Sequence, residues 1–97
     1  MKVFFIVKPI SNYALKQLYH SIRTTFDNKK DSIYILKTSK KEHAIDLTQK
    51  AINEKPDVVV ACGGDGTVNE VARELVKTDI PIAVVPVGSG NGIARHF

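Results

Sequence analysis

Apolar residues along this chain fall into two kinds of grouping. Val3-Phe4-Phe5-Ile6-Val7, Ile33-Tyr34-Ile35-Leu36, Val58-Val59-Val60-Ala61 and Ile82-Ala83-Val84-Val85 are unbroken runs, rich in β-branched and aromatic residues and too short for helices. Such runs predict strands covered on both faces. Between them the spacing becomes helical. Leu15, Leu18, Tyr19, Ile22 and Phe26 fall at i, i+3, i+4, i+7 and i+11, the inner stripe of a helix of about four turns. Ala44, Ile45, Leu47, Ala51 and Ile52 supply a second stripe, and Val68, Val71, Ala72, Leu75 and Val76 a third.

Punctuation between the groups supports the same division. Pro9 cannot donate to a ladder, and Ser11 or Asn12 can cap the first helix. Asp27-Asn28-Lys29-Lys30-Asp31 is a polar break. Ser39 with Glu42, and Thr67 with Glu70, have the S/T-x-x-E spacing of a capping box, which predicts helices opening there. Pro56 closes one connection, and Asp79 to Pro81 break the third helix. After the fourth strand Pro86-Val87-Gly88-Ser89-Gly90-Asn91-Gly92 reads as a glycine turn, and Ile93 to Phe97 as the opening of a further helix.

The order β-α-β-α-β-α-β predicts an α/β fold: a three-layer α/β/α arrangement around a mostly parallel sheet with right-handed crossovers. In such sheets ligands gather at the carboxyl ends of the strands. The loops 8–12, 38–42, 63–67 and 88–92 are expected to meet on that edge. At 97 residues this is one domain, burying roughly 60–65% of its unfolded surface.

Composition narrows the partners. An apolar share of 43% and a charged share of 25% are those of an ordinary globular protein. The net charge of +4 suits nucleotides or anionic lipid headgroups. The lysines are dispersed and not interleaved with aromatics, so no nucleic acid partner is expected. Cys62 is the single cysteine, which excludes an internal disulfide and fits a reducing compartment. At the end of a buried strand it reads as a small core residue. No apolar run approaches the ~20 residues of a membrane span, and the apolar start is too short for a signal peptide. A cytoplasmic location is expected.

The chemistry concentrates where the third strand ends. Cys62 gives way to Gly63-Gly64-Asp65-Gly66-Thr67. Glycines allow positive φ and leave no Cβ to block a close ligand. With a helix N-terminus behind them, they form a place that attracts phosphate. Asp65 is placed to act on a hydrated Mg²⁺ or to accept a proton from an attacking hydroxyl. The plainer reading, that it satisfies turn N–H groups, stands beside these. There is no G-x-x-x-x-G-K-[S/T] loop, no complete G-x-G-x-x-G, no metal-spaced His or Cys cluster and no nucleophile elbow.

GGDGTVNEV (Gly63–Val71) followed by PVGSGNGIAR (Pro86–Arg95) resembles the catalytic domain of the diacylglycerol kinase and sphingosine kinase superfamily. Thr38 with His43-Ala44 is similar to the family's T…HA segment. Lys8-Pro9-Ile10-Ser11-Asn12 stands where the family has Asn-Pro-x-Ser-Gly. The resemblance spans the whole chain and corresponds to the first half of a family catalytic domain. It implies an ATP-dependent lipid kinase, using Mg²⁺ to move the γ-phosphoryl of ATP onto the hydroxyl of a lipid such as diacylglycerol or a sphingoid base. Residues 1–97 would be its N-terminal nucleotide-binding lobe. The β-rich lipid-binding lobe would lie beyond Phe97, so these residues alone are not expected to turn over lipid. Peripheral contact with a membrane surface, and self-association through the open side of the fourth strand, are further expectations.

Carried over by position, the resemblance makes Gly63, Gly64, Asp65, Gly66, Thr67, Val68, Asn69 and Glu70 the wrap around the phosphates, with Asp65 the catalytic candidate. Thr38 and Ser89, the latter with Gly88, Gly90 and Asn91, would reach the nucleotide from neighbouring loops. Lys8, Pro9, Ile10, Ser11 and Asn12 would line the same cleft, and no side-chain cage for a metal is implied. Lys8 replaces the family's Asn and offers a charge to phosphate, while Asn12 replaces its Gly. Gly92 stands where bacterial diacylglycerol kinases have Asp, which leaves the lipid open. His43 is read either as reaching the nucleotide edge or as solvated, and His20 as a surface residue. NAD kinases and phosphofructokinases also use a GGDG turn. An NAD-kinase-like phosphotransferase and a non-catalytic nucleotide-binding module are therefore the alternatives.

Overall fold

The strand Lys2–Val7 (β1) lies inside the sheet and is covered on both faces, with Val3 through Val7 all buried. The computed structural model describes residues 1–40 and 42–86. After β1 come α1 (Asn12–Thr25), β2 (Ser32–Lys37), α2 (His43–Asn53), β3 (Val58–Gly63), α3 (Asp65–Leu75) and β4 (Ile82–Pro86). The strands form one sheet in the order β2-β1-β3-β4, and every pairing is parallel. The expected α/β fold is thus the observed one. The glycine turn at 88–92 and the helix expected from Ile93 lie outside the described residues.

Alternation along β1 sorts the core into two layers. Phe4 and Ile6 point to the face covered by Ala44, Leu47 and Ala51 of α2 and by Val71 and Leu75 of α3. Val3, Phe5 and Val7 point to the other, where Leu18 of α1 is buried with Leu15, Ile22 and Phe26 packed alongside. The strand order explains this split. The chain steps from β1 outward to β2, then back across β1 to β3 and onward to β4. Crossovers of one hand therefore place α1 on one face and α2 and α3 on the opposite face. Aromatic contacts reinforce both layers: Phe4 stacks on Tyr34 at 4.6 Å, and Phe5 meets Phe26 edge-on at 6.2 Å.

Buried polar groups are accounted for. Thr48, fully buried in α2, donates from Oγ1 to the Ala44 carbonyl at 2.6 Å. Cys62 is fully enclosed in the α1-side core, and burial pushes its thiol up to about 12. The amino edge of the sheet is tied off by polar contacts. Lys2 donates its N–H to Asp57 Oδ2 and its ammonium to the Glu54 carbonyl, both at 2.6 Å. Asp31 accepts the Asp27 N–H and pairs with the N-terminal ammonium, which together hold its carboxyl below the usual range.

Local signals succeed for α1 and fail for the other two helices. Ser11 caps α1, accepting the Ala14 N–H at 3.1 Å. Neither expected capping box forms. At α2 the N-cap is Glu42 itself, in the left-handed region at φ 65°, with no side-chain cap bond. At α3 the helix opens two residues earlier than Thr67, with Gly64 at the cap. None of Gly63, Gly64 and Gly66 uses the positive φ that glycine allows.

Burial on both faces of β1 makes a specific demand. Ile6→Ala removes a side chain with no exposure and is expected to cost about 2–5 kcal/mol. Val76→Ala, on a residue 78% exposed, should stay within about 0.5 kcal/mol. Urea denaturation midpoints of the two variants measure the difference.

Candidate functional site

Because β1 and β3 are neighbours, the connections that follow them leave the same edge side by side while heading to opposite faces of the sheet. Such a switch point opens a crevice at the carboxyl ends of the strands. The register continues one residue past β1: Val7 pairs with Cys62, and the Lys8 N–H donates to the Cys62 carbonyl at 3.1 Å. This fixes the root of the Lys8 side chain beside the glycine turn. Its stem then lies across Gly63, with Cδ 3.2 Å from where a Cβ would stand, and its ammonium comes within 3.9 Å of the corresponding point on Gly64.

Gly63 is glycine for lack of room. A Cβ there would fall 2.8 Å from both Cβ and Oγ1 of Thr67, too close without a shift. The Thr67 side chain therefore packs against the end of β3 rather than capping α3. Gly64, in extended conformation at the cap, has no side chain to offer. The first bond of the helix runs from the Val68 N–H to the Gly64 carbonyl at 3.1 Å. The N–H groups of Asp65, Gly66 and Thr67 precede that bond, so they stand at the open, positive end of the helix. A Cβ on Gly66 would meet nothing within 4 Å, and Asp65 is exposed at the first helical position.

Lys8 brings a cation to this point, and Asp65 a carboxylate. Among the described residues the ion pairs are Met1–Asp31 and Lys2–Glu54, both at the opposite edge, and Lys8 has none. A half-buried lysine with no carboxylate partner among the described residues, its ammonium near the Gly64 cap of α3, is suited to an anion with several oxygens.

The other residues proposed from sequence divide by position. Ser11 is spent on capping α1, and Val68 packs against the α2–α3 core, so its side chain faces away from the crevice. Pro9 and Ser11 are exposed on the loop after β1, Asn12 is exposed at the first position of α1, and Ile10 packs on the α1-side core. Thr38 is buried where β2 ends and donates its N–H to the Val7 carbonyl at 2.8 Å, which sets it next to Lys8. Asn69 and Glu70 continue α3. Gly88, Ser89, Gly90 and Asn91 lie outside the described residues. The ring of His43 is bonded rather than simply solvated, accepting the Ser39 N–H at Nδ1 across 2.9 Å. Spacing gave no sign of that contact, because it depends on where the turn before α2 folds.

Comparison with known proteins follows the same lines. A family model described as diacylglycerol kinase catalytic domain matches residues 2–97. A diacylglycerol kinase of Mycobacterium tuberculosis (strain H37Rv) is 32% identical over 98 residues, which cover 99% of this chain and 31% of that protein. Sphingoid long-chain bases kinase 1 of Arabidopsis thaliana is 30% identical over 102 residues, covering 95% of this chain and 13% of the relative. The crystal structure of a protein assigned as a diacylglycerol kinase from Bacillus anthracis str. Sterne superposes with a TM-score of 0.74 at 28% identity, across 91% of this chain and 31% of that one. The chain thus spans a third or less of the length of these relatives. With the family model matched from Lys2 to Phe97 and the same fold in a solved relative, this chain belongs to the diacylglycerol kinase catalytic-domain family.

Proposed function

We propose that this chain is the nucleotide-binding lobe of an ATP-dependent lipid kinase, which transfers the γ-phosphoryl of ATP to the hydroxyl of a lipid such as diacylglycerol or a sphingoid base. The observation that carries the reading is the Lys8 ammonium, without an acidic partner among the described residues, lying by the Gly63–Gly64 turn at the open end of α3. The names of the relatives, kinases of diacylglycerol and of sphingoid bases, support the choice of acceptor.

In this reading the free N–H groups of Asp65, Gly66 and Thr67 receive phosphate oxygens, and Lys8 neutralises them from the side. Both groups are set before the ligand arrives, which is where phosphoryl transfer gains most, since its loose transition state needs positioning and charge neutralisation more than a strong base. The lipid hydroxyl oxygen forms the new bond to phosphorus as the bond to the β,γ-bridging oxygen breaks, and ADP leaves with that electron pair. Asp65 is the acidic side chain of the turn. It either takes the hydroxyl proton or orients water bound to a metal ion.

Among the described residues no three His, Cys, Asp or Glu side chains gather to hold a metal. The single exposed carboxylate of the turn, Asp65, fits Mg²⁺ arriving on the nucleotide, since the ion binds through substrate phosphates, waters and one or two carboxylates. When bound, it would supply charge neutralisation on the β- and γ-phosphates. No described helix is long and apolar enough to cross a membrane. In this proposal lipid is met at a bilayer surface.

Calorimetric titration of the chain with ATP and Mg²⁺ tests the site. Lys8→Gln should weaken binding by about tenfold, equivalent to about 1.4 kcal/mol. The loss should be larger when Mg²⁺ is withdrawn, because Lys8 is then the remaining cation on the phosphates. Equal affinity for the variant would remove Lys8 from the site. Asp65→Asn should leave nucleotide binding within about threefold while lowering lipid phosphorylation by the whole catalytic domain at least about a hundredfold. Undiminished turnover would show that Asp65 is not catalytic.

The two glycines separate packing from ligand approach. Gly66→Ala fills open space inside a helix and should stabilise the fold by about 0.5–1 kcal/mol, while crowding the N–H groups and weakening ATP. Gly63→Ala should destabilise, since its Cβ meets Thr67. Thermal melts with and without ATP distinguish the two outcomes.

A further inference from the structure

The edge strand β2 ends in a way that the sheet alone does not explain. Backbone N–H groups point alternately to the two sides of a strand. At the end of β2 the Thr38 N–H turns inward to the Val7 carbonyl, so the next one, on Ser39, turns outward, where no strand among the described residues pairs with it. The His43 ring closes over this position. Nδ1 accepts the Ser39 N–H at 2.9 Å, and the Ser39 hydroxyl lies 3.3 Å from the same nitrogen. A backbone amide can only donate, so Nδ1 must carry the lone pair and the ring proton must sit on Nε2.

The turn being held is not a relaxed one. Glu42 is left-handed at φ 65°, and α2 starts without a side-chain cap. The backbone bonds closing this turn, from His43 N–H to the Lys40 carbonyl and from Ile45 N–H to the Glu42 carbonyl, are both 3.2 Å long. Lys40, Glu42 and Asp46 line an open depression with the ring, so charges of both signs flank it. The shorter His43–Ser39 bond is therefore the tie between the start of α2 and the end of β2.

We propose that His43 is a positioning residue for the nucleotide site: the Nδ1 lone pair pins Ser39, and through it holds Thr38 against the Val7–Lys8 corner. This rests on the reading of that corner as the phosphate site. The connection runs through main-chain bonds alone, from Ser39 to Thr38, across to Val7 and on to Lys8, whose own N–H is bonded to Cys62. Lys8 thereby acquires a fixed root on both neighbouring strands. A ring that let go of Ser39 would free the outer half of that support.

The test uses two variants that differ in where they place an acceptor. Asn carries its side-chain oxygen at the position of Nδ1, whereas Gln carries its polar atoms at the position of Nε2. In the 97-residue chain, His43→Asn should bind ATP with Mg²⁺ within about twofold of the unsubstituted chain, and His43→Gln about tenfold more weakly, as loss of a single net hydrogen bond allows. Nitrogen-15 spectra of the ring should show Nδ1 unprotonated, and exchange of the Ser39 amide should speed up in the Gln variant only. A protonated Nδ1, or Asn and Gln variants with equal affinities, would overturn the assignment while leaving the nucleotide reading in place. A chain that takes up no ATP in any form would instead refute the nucleotide reading, and the positioning role with it.

Discussion

The pairing of β1 with β3 is the constraint from which the site follows. Each strand is buried on both faces, so the register cannot slip by one residue without turning the Phe4–Ile6 layer to the wrong side. With Val7 held opposite Cys62, the next residue must emerge directly over the glycine turn. Lys8 reaches Gly63 and Gly64 for that reason and not through any preference of its own sequence neighbourhood. A long cationic side chain elsewhere would lose rotamer freedom to reach the same point, whereas here its first bonds are fixed by a buried sheet.

The two edges of the sheet use their polar groups in opposite ways. At the amino edge, Lys2, Asp57, Asp31 and Glu54 satisfy one another and the adjoining backbone. At the carboxyl edge, α3 begins on a glycine with no capping side chain, and the Lys8 ammonium has no acidic partner among the described residues. A glycine at the cap forgoes only about a few tenths of a kcal/mol relative to a Ser or Asp. The same omission leaves the N–H groups available to a phosphate. At α1, by contrast, Ser11 supplies a side-chain cap.

The glycines of the turn act through what they leave out. Gly63 gives way to the Thr67 side chain and the Lys8 stem, and Gly66 leaves the helix start open to approach. Neither depends on a left-handed backbone. Among the described residues the left-handed backbone belongs instead to Glu42 and Lys55; at Glu42, before α2, the His43 ring supplies the hold that a capping side chain would give elsewhere.

The sequence by itself determined the number, type and order of the described elements, the two faces of β1, and the identity of the glycine turn. These rest on periodicity and composition, which are local and survive any packing. It also carried the family, because two motifs in fixed order are legible without a structure. It did not determine how α2 and α3 begin. The pairs Ser39–Glu42 and Thr67–Glu70 have the spacing of a capping box, yet Thr67 is claimed by the end of β3 and Ser39 by the His43 ring. The sequence placed these loops on one edge, but only the tertiary structure decided that the Lys8 stem crosses Gly63 while Thr38 is bonded to β1 from its other side. That neighbourhood depends on strand order, and strand order is set by how helices cover both faces of a sheet, a property of the whole chain that no short stretch contains.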